Sequence, residues 1–151
     1  MTIINIREVE QDDLNEIHRL QREWREEKIT IGFKGDENNL LPHYLGSYFL
    51  LATLEEDVIG YILGEKKLGE RSIINKNAEA YLEINDLYVQ KGFRGRSVGK
   101  KLIEEIEKRA KKDGIKQIQL YSANKDIIKT IKFYEKNGFS NWYIRMYKNL
   151  E

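Results

Sequence analysis

The apolar residues of the chain follow two patterns, and the shorter of these predicts strands. Runs rich in aromatic and β-branched residues, several of them alternating with polar residues, are typical of strands. Two of the runs are separated only by Glu55-Glu56-Asp57, which predicts an antiparallel hairpin. The predicted strands span residues 3–9, 48–54, 58–63, 80–89, 116–121 and 139–147.

The second pattern repeats every three to four residues and predicts three amphipathic helices. Their apolar stripes are Leu14, Ile17, Leu20 and Trp24; Val98, Leu102, Ile103, Ile106 and Ala110; and Ile127, Ile131 and Tyr134. The predicted starts are Asp13, in a capping box with Glu16, then Ser97 and Asp126, and the later two helices are predicted to end at Gly114 and Asn137-Gly138. Residues 28–46 show neither pattern, so we expect a loop with a short helix at the rim of a substrate site.

The order of these elements predicts a mixed α/β (α+β) domain with one strand–helix–strand unit at residues 80–121. A chain of 151 residues, 40% apolar and 34% charged, fits a single domain over residues 1–151. There is no cysteine, which excludes disulfides and thiol chemistry, and the two histidines are isolated, so we expect no metal site. No signal pattern or long apolar stretch is visible, and we therefore expect a cytoplasmic protein without a membrane partner.

The most informative segment is a basic turn between a predicted strand and a predicted helix, Arg94-Gly95-Arg96-Ser97-Val98-Gly99-Lys100. A helix start exposes unpaired N–H groups and the positive end of the helix dipole, and the turn adds glycines and positive side chains. This arrangement favours a phosphate ligand. The motif alone is equally consistent with a plain turn whose arginines are solvated.

Charge is unevenly distributed along the chain, although the net charge is only +1. Residues 10–57 hold twelve acidic and five basic residues, whereas residues 90–116 hold ten basic and four acidic ones. A basic segment suits a polyanionic cofactor and an acidic one suits a cationic substrate, while charge runs are more often solvated faces. The low net charge argues against a general nucleic-acid binder.

Three segments, in this order and spacing, resemble the GCN5-related N-acetyltransferase (GNAT) superfamily. They are Leu87-Tyr88-Val89, the turn from Arg94 to Gly99, and Phe133-Tyr134-Glu135-Lys136-Asn137-Gly138-Phe139. Ile6-Arg7-Glu8 with Asp12-Asp13-Leu14 also looks like the first strand and helix of that family. The resemblance implies a mixed, mostly antiparallel central sheet flanked by helices, a splayed strand pair at the cofactor site, and acetyl-coenzyme A as cosubstrate.

The resemblance also implies where the cofactor lies. The pyrophosphate would bind the N–H groups of residues 94–100, and the pantetheine arm would run beside residues 87–89 like an added strand. Ser97 stands where the family has a glycine, and Ile127 where many relatives have an asparagine, for which nearby Asn124 is a substitute. The candidate cofactor-binding residues are Leu87, Tyr88, Val89, Arg94, Gly95, Arg96, Ser97, Val98, Gly99, Lys100 and Asn124.

Acetyl transfer to an amine needs a base, a polarised thioester carbonyl and a proton for the departing thiolate. Tyr134 matches the general-acid tyrosine of the family, and the backbone N–H of Val89 is the implied oxyanion donor. Glu83 and Asp86 each match an acidic position of some relatives. Their odd separation puts them on opposite faces of a regular strand, so both would point into one cleft only if a bulge intervenes.

These observations predict an acetyl-coenzyme A-dependent N-acetyltransferase that works by direct attack in a ternary complex, since no cysteine can carry the acetyl group. A small cationic amine or polyamine is the favoured acceptor, with a protein N-terminus or lysine as the runner-up, and a homodimer is left open. The alternative is a non-catalytic acyl-coenzyme A sensor of the same fold, favoured by the departures at Ser97 and Ile127. A nucleic-acid-binding role for the basic helix is disfavoured because Glu104, Glu105 and Glu107 would face the phosphates.

Overall fold

The computed structural model of the protein describes residues 3–151, which form one five-stranded sheet with helices on both faces. The strands β1 (Ile4–Glu8), β2 (Phe49–Leu54), β3 (Asp57–Lys67), β4 (Tyr81–Val89) and β5 (Ile118–Leu120) lie side by side in chain order. All neighbouring pairs are antiparallel except β4 and β5, which are parallel. The helices are α1 (Leu14–Glu27), α2 (Val98–Lys112) and α3 (Ile127–Lys136). The predicted mixed, mostly antiparallel sheet is thereby confirmed.

The sheet separates two apolar cores because successive side chains of each strand point to opposite faces. The α1 face buries, among others, Ile17, Leu20, Trp24, Phe49, Leu51, Tyr61, Leu63 and Tyr88. The α2 face buries, among others, Leu50, Ile59, Ile62, Leu82, Ile84, Leu102, Ile103 and Ile106, and α3 packs against its edge. The predicted apolar stripes of α1 and α2 are the residues that these helices bury.

A β-bulge in β4 decides which of its side chains share a face. Leu63 of β3 lies opposite Asp86, but the next residue, Gly64, lies opposite Ile84, so Asn85 is the extra residue. Skipping one residue reverses the alternation, and Glu83 and Asp86 therefore both lie on the α1 face. Leu87 and Val89 consequently share the α2 face with Leu82 and Ile84.

The capping box predicted at Asp13 and Glu16 is wrong. Asp13 instead accepts a hydrogen bond from the backbone N–H of Glu10 (2.8 Å) and pairs with Arg7 (2.7 Å), so the box lies one turn earlier and surrounds a 3-10 turn. Glu16 pairs with Arg19 at 2.7 Å. The strand β1 supplies the reason, because its Arg7 captures the carboxylate that was expected to cap α1. By contrast, Asp126 caps α3 as predicted, accepting from the N–H of Lys129 at 3.2 Å.

The strand predicted at residues 139–147 is also wrong, because residues 140–151 lie outside any helix or strand. Their large apolar side chains are exposed, with Ile144 74%, Met146 83% and Tyr147 81% accessible. An alternating sequence becomes a strand only beside a sheet edge that can accept its hydrogen bonds, and within residues 3–151 β5 offers only three residues. The first residue of the α3 stripe, Ile127, is likewise exposed.

Candidate active site

The strands β4 and β5 splay apart after only three residue pairs, Leu82–Ile84 with Ile118–Leu120. Beyond that point the chain that follows β5 turns away and pairs with the segment after α1, through bonds from Ile31 N to Ala123 O and from Lys125 N to Ile29 O, both 2.9 Å. The end of β4 therefore has a sheet partner on one side only among the described residues. This opening is the splayed strand pair that was predicted, and it links the two faces of the sheet.

The basic turn lies at the end of β4, where α2 begins. Ser97 has a left-handed backbone with φ of 65°, and its side chain makes no capping hydrogen bond. The first N–H groups of α2 are left without intrahelical partners, as at any helix start. Arg96 and Lys100 flank these groups and are exposed to solvent. Arg96 lies over the Phe93 ring, 5.6 Å from its centre, and Lys100 lies 3.7 Å from Glu104, so the turn carries exposed N–H groups and two positive charges.

Arg94 differs from the expectation for a free phosphate ligand, because its guanidinium is engaged within the protein. It donates to both carboxylate oxygens of Glu27 on α1, at 2.8 and 2.6 Å, and to the carbonyl of Val89 at 2.8 Å. It also lies over the Tyr88 ring, 5.3 Å from its centre. In this arrangement Arg94 ties the turn to α1, and the backbone of the turn is left to meet an anion.

Glu27 joins the same cluster as the acceptor of a hydrogen bond from the Tyr88 hydroxyl (2.5 Å). Burial raises the pKa of the Glu27 carboxyl, but the hydrogen bonds from Arg94 and Tyr88 outweigh it, so the pKa lies below its usual value. Burial, together with the negative charge of Glu27, raises the pKa of the Tyr88 hydroxyl. The cluster is therefore an ionised Glu27 held by a cation and a neutral phenol.

Gly99 has a packing role that sequence reasoning missed. A Cβ at this position would lie 3.0 Å from Cζ of Phe133, which is closer than carbon atoms normally approach. The absent side chain thus lets α3 lie directly against the start of α2. This contact brings α3, and with it Tyr134, to the groove.

Tyr134 is largely buried between two aromatic rings, Phe133 and Phe139, at centroid distances of 5.1 and 5.4 Å. Burial alone raises the pKa of its hydroxyl to about 12. No side chain of residues 3–151 accepts a hydrogen bond from this hydroxyl. Tyr134 therefore keeps its proton throughout the neutral pH range and has it free to donate.

Asp86 lies deep on the α1 face of β4. The hydroxyl of Tyr61 donates to its Oδ2 at 2.8 Å, and the side-chain amide of Gln21 donates to that hydroxyl at 3.2 Å. Burial raises the pKa of the Asp86 carboxyl, against the opposing effect of the Tyr61 hydrogen bond. Asp86 is thus a buried carboxyl with a protein donor already bound to it.

Glu83 lies nearer the surface than Asp86, with 17% of its side chain exposed. Directly opposite it on β3 is Glu65, a residue that sequence reasoning missed. The ammonium of Lys67 lies 2.7 Å from Glu65 Oε1 and 3.9 Å from Glu83 Oε2. We call Glu65 and Glu83 the acidic pair. The sequence prediction ends this strand at residue 63 because the residues that follow, Gly64-Glu65-Lys66-Lys67, are polar. The strand β3 in fact continues to Lys67, and its alternation places Glu65 on the α1 face.

Tyrosines lie near Glu83 and Lys67. A hydrogen bond shared with Tyr143 raises the pKa of the Tyr121 hydroxyl, and the nearby charge of Glu83 adds to this effect. Tyr44, in the short 3-10 turn Leu41–Tyr44 that follows α1, lies near Lys67. One residue of the segment expected to rim a substrate site, Tyr44, therefore lies near Lys67.

Asn124 lies on the wall of the groove opposite β4. Its Oδ1 accepts a hydrogen bond from the Thr30 hydroxyl at 3.0 Å, and that hydroxyl in turn accepts from Trp24 Nε1 at 2.9 Å. The amide NH₂ of Asn124 has no acceptor within residues 3–151. Its position is thus fixed by Trp24 of α1 and by Thr30 of the segment after it.

One cleft lies apart from this groove. A cleft of about 500 Å³ between the C-terminal end of α2 and residues 137–142 contains none of the predicted site residues. Over the described part of the chain there is no helix long and apolar enough to cross a membrane, and no group of three or more His, Cys, Asp or Glu residues placed to hold a metal ion.

The sequence of the chain was compared with models of known protein families and with curated proteins. Residues 6–139 match the sequence model of the Acetyltransferase (GNAT) family. No curated protein matches the chain.

Solved structures resemble the chain over nearly its whole length. One is an aminoglycoside N-acetyltransferase, AAC(6')-Iy, in complex with coenzyme A, with 17% identity and a TM-score of 0.75 over 99% of this chain and 97% of that one. Another is described as a predicted acetyltransferase with acetyl-coenzyme A from Clostridium acetobutylicum, with 18% identity and a TM-score of 0.69 over 98% and 97%. A third is a transcriptional regulator from Bacillus halodurans C-125, with 17% identity and a TM-score of 0.75 over 98% and 100%. At these identities the likeness is one of fold.

Proposed function

The chain belongs to the acetyltransferase (GNAT) family, and from that premise we propose that it transfers an acetyl group from acetyl-coenzyme A to a small cationic primary amine. The observation that carries the proposal is the division of the site between the two faces of the sheet. The turn, Val89 and Tyr134 lie on the α2 and α3 side, whereas Glu83, Asp86 and Glu65 lie on the α1 side. The splay between β4 and β5 joins the two sides, so a thioester placed there can be reached from both.

The groove accounts for the cofactor half of this proposal. The free edge of β4 at residues 87–89 offers backbone groups to the amide-bearing pantetheine arm. The start of α2 offers N–H groups to the pyrophosphate, with Arg96 and Lys100 adding charge. The amide of Asn124 lies on the opposite wall and can donate to the same arm. These residues suit acetyl-coenzyme A as cosubstrate.

Tyr134 and one carboxylate supply the proton transfers. The amine nitrogen attacks the thioester carbonyl, the backbone N–H of Val89 stabilises the oxyanion, and collapse of the intermediate breaks the carbon–sulfur bond. The carboxylate takes one proton from the ammonium before the attack, directly or through water, because only the neutral amine has a lone pair. The intermediate then loses its second N–H proton to solvent, and Tyr134 gives its proton to the thiolate and is reprotonated from solvent.

Glu83 is the better placed of the two candidate bases. It is partly exposed on the α1 face, whereas Asp86 lies deeper and already accepts a hydrogen bond from Tyr61. A carboxylate needs contact with the acceptor or with a bound water to take its proton. We therefore assign the base to Glu83 and a structural role to Asp86.

The acceptor class follows from the charge on the α1 face. Glu65 and Glu83 lie opposite each other there, with Tyr121 near Glu83, which suits an alkylammonium group. The aminoglycoside acetyltransferase of the same fold also carries the name of an amine-bearing substrate class. A flexible peptide carrying a lysine or free N-terminus is the less favoured acceptor.

Two further features of the proposal concern the surroundings of the protein. Exposed Ile144, Met146 and Tyr147 favour a homodimer that covers residues 140–151, and light scattering after size exclusion would detect it. A cytoplasmic location suits an enzyme that consumes acetyl-coenzyme A.

The test is a screen of aliphatic monoamines, diamines, polyamines and lysine peptides with acetyl-coenzyme A, followed by the release of free thiol. We expect release with the cationic small amines and little with the peptides. Calorimetry with acetyl-coenzyme A runs beside it. Binding without thiol release on any amine would instead support the non-catalytic acyl-coenzyme A sensor, and absence of binding at millimolar ligand would overturn both.

A further inference from the structure

Lys67 occupies the acidic pair with a positive charge that belongs to the chain itself. Its ammonium lies 2.7 Å from Glu65 and 3.9 Å from Glu83, and the hydrogen bond to Glu65 raises the pKa of this ammonium above its usual value. The lysine is therefore charged at neutral pH, and it sits where the proposed acceptor amine must come to meet Glu83.

The position of Lys67 follows from the extension of β3. Residues 65 and 67 point to the same face because strand side chains alternate, and Lys67 lies opposite Tyr81 just as Glu65 lies opposite Glu83. Lys66, between them, points to the other face, opposite Leu82, and forms no ion pair with any described residue. Two adjacent lysines thus differ in one respect, namely whether they reach the acidic pair.

We propose that Lys67 is a tethered competitor of the acceptor, holding the acidic pair until the ammonium group of a cationic amine displaces it. The proposal rests on the proposed function, since it concerns the acceptor site of that reaction. It adds a residue that sets affinity and specificity for the acceptor. A positively charged acceptor can replace Lys67 in its contacts with Glu65 and Glu83, whereas a neutral amine that displaces Lys67 forms no ion pair in return.

The ion pair of Lys67 is weak enough for an incoming ammonium group to displace it. An exposed ion pair of this kind contributes little to stability, so its loss on displacement is small. Lys67 also has a long flexible stem with 41% of its side chain exposed, which lets it swing into solvent without moving the strand. After displacement Glu83 is free to accept the proton of the incoming ammonium.

The experiment compares Lys67→Met with Lys66→Met, which lowers the net charge equally on the opposite face. Binding of 1,4-diaminobutane to each full-length protein is measured by calorimetry at fixed salt, and KM and kcat are measured in parallel with the same amine. We expect Lys67→Met to bind the diamine more tightly than the parent, with both Kd and KM lower by about three- to fivefold. A change of this size is what the loss of one exposed ion pair would give. Lys66→Met and the charge-retaining Lys67→Arg should stay within about 1.5-fold of the parent, since neither removes the charge from the pair.

Equal or weaker diamine binding by Lys67→Met overturns the proposal, and so does an equal gain in Lys66→Met, which would indicate a general charge effect. A failure of the proposed function is a different result, because the thiol assay would then be silent while the calorimetric comparison still decides the role of Lys67. Failure of both Lys67→Met and the parent to bind the diamine at about 10 mM counts against the proposal as well, since a weak millimolar complex is the least that an acceptor site provides. Lys67→Gln is the second uncharged variant should the methionine protein be poorly soluble.

Discussion

Ser97 shows at the scale of one residue why the turn favours glycine. Its φ of 65° is a left-handed conformation that costs an L-residue about 1 kcal/mol, and glycine adopts it freely. The structure thus gives a backbone reason for the glycine that the family pattern has here. The hydroxyl makes no capping hydrogen bond, so among residues 3–151 the serine gains no compensating hydrogen bond.

Ser97→Gly should therefore raise the free energy of unfolding by about 0.5–1 kcal/mol and leave coenzyme A affinity equal or better. Urea unfolding and calorimetry are the measurements. Ser97→Ala is the matched control, because it removes the hydroxyl and keeps the strain. If both variants lose affinity, the hydroxyl is itself a phosphate ligand.

Tyr134 carries a second prediction at this scale. Tyr134→Phe keeps the ring between Phe133 and Phe139 and removes only the proton donor, so kcat should fall by about 100-fold with nearly unchanged coenzyme A affinity. Because the pKa of the hydroxyl is raised to about 12, the parental rate should show no loss from tyrosine ionisation up to about pH 9. The exposed Tyr147→Phe serves as control. Parental turnover in Tyr134→Phe would make this residue a core aromatic only.

Asp86 gives a prediction about pH and stability. Its pKa in the folded state is raised by burial, so folding favours the protonated form, and its contribution to stability falls as pH rises from the unfolded pKa through the folded one. Asp86→Asn keeps an acceptor for the Tyr61 hydroxyl without the buried charge. We expect its melting temperature to match the parent near pH 4 and to exceed it at pH 7 to 8.

The same variant separates the two candidate bases. With Glu83 as base, Asp86→Asn should retain most of its turnover and Glu83→Gln should lose it. The reverse order would move the base to Asp86.

At the scale of elements, the clamp between Glu27 and Arg94 holds the end of β4 and the start of α2 against α1. It spans 67 positions of sequence and uses a bidentate pair with one partner largely buried, which is the favourable geometry for an ion pair. The charge of Arg94 thus stabilises the contact between the turn and α1. Reversal of that charge would disturb α1 as well as the anion site, so Arg96 is the cleaner residue for probing cofactor affinity.

A double-mutant cycle with Glu27→Gln and Arg94→Met should give a coupling free energy of about 1 kcal/mol in urea unfolding. The pKa of Glu27 is lowered in the folded state, so this stability is fully present above the usual carboxyl pKa and is lost as pH falls through the folded value. The coupling should therefore vanish in acid. Additive single effects at pH 7 would show that the pair contributes nothing.

At the scale of the whole molecule, acidic and basic side chains lie on different faces of the sheet around one groove. The basic residues that follow β4 lie at the start of α2, and the acidic pair lies on the opposite face of the sheet. Under the proposed function, this separation would let an anionic cofactor and a cationic acceptor approach the opening from different faces. The splay between β4 and β5 is what joins the two faces.

Local chemistry in the sequence determined much of this architecture. The α1 and α2 stripes, the hairpin, the Asp126 cap and the turn before α2 each depend on residues within a few positions of one another, and the structure contains them all. The family resemblance rests on three such short segments, and the family match confirms it. The roles of the individual site residues stay predictions.

Only the tertiary structure decided how these parts meet. The bulge at Asn85 puts Glu83 and Asp86 on one face, which the spacing alone forbids, because a bulge depends on the partner strand. Arg94 lies against Glu27, 67 positions away, because distant segments fold together. Lys67 lies beside Glu65 of its own strand, but the position of both near Glu83 depends on the pairing of β3 with β4. Residues 139–147 have the alternation of a strand, but they form none in the described part of the chain. An apolar pattern indicates what a segment can bury, and its neighbours in the fold decide whether it does.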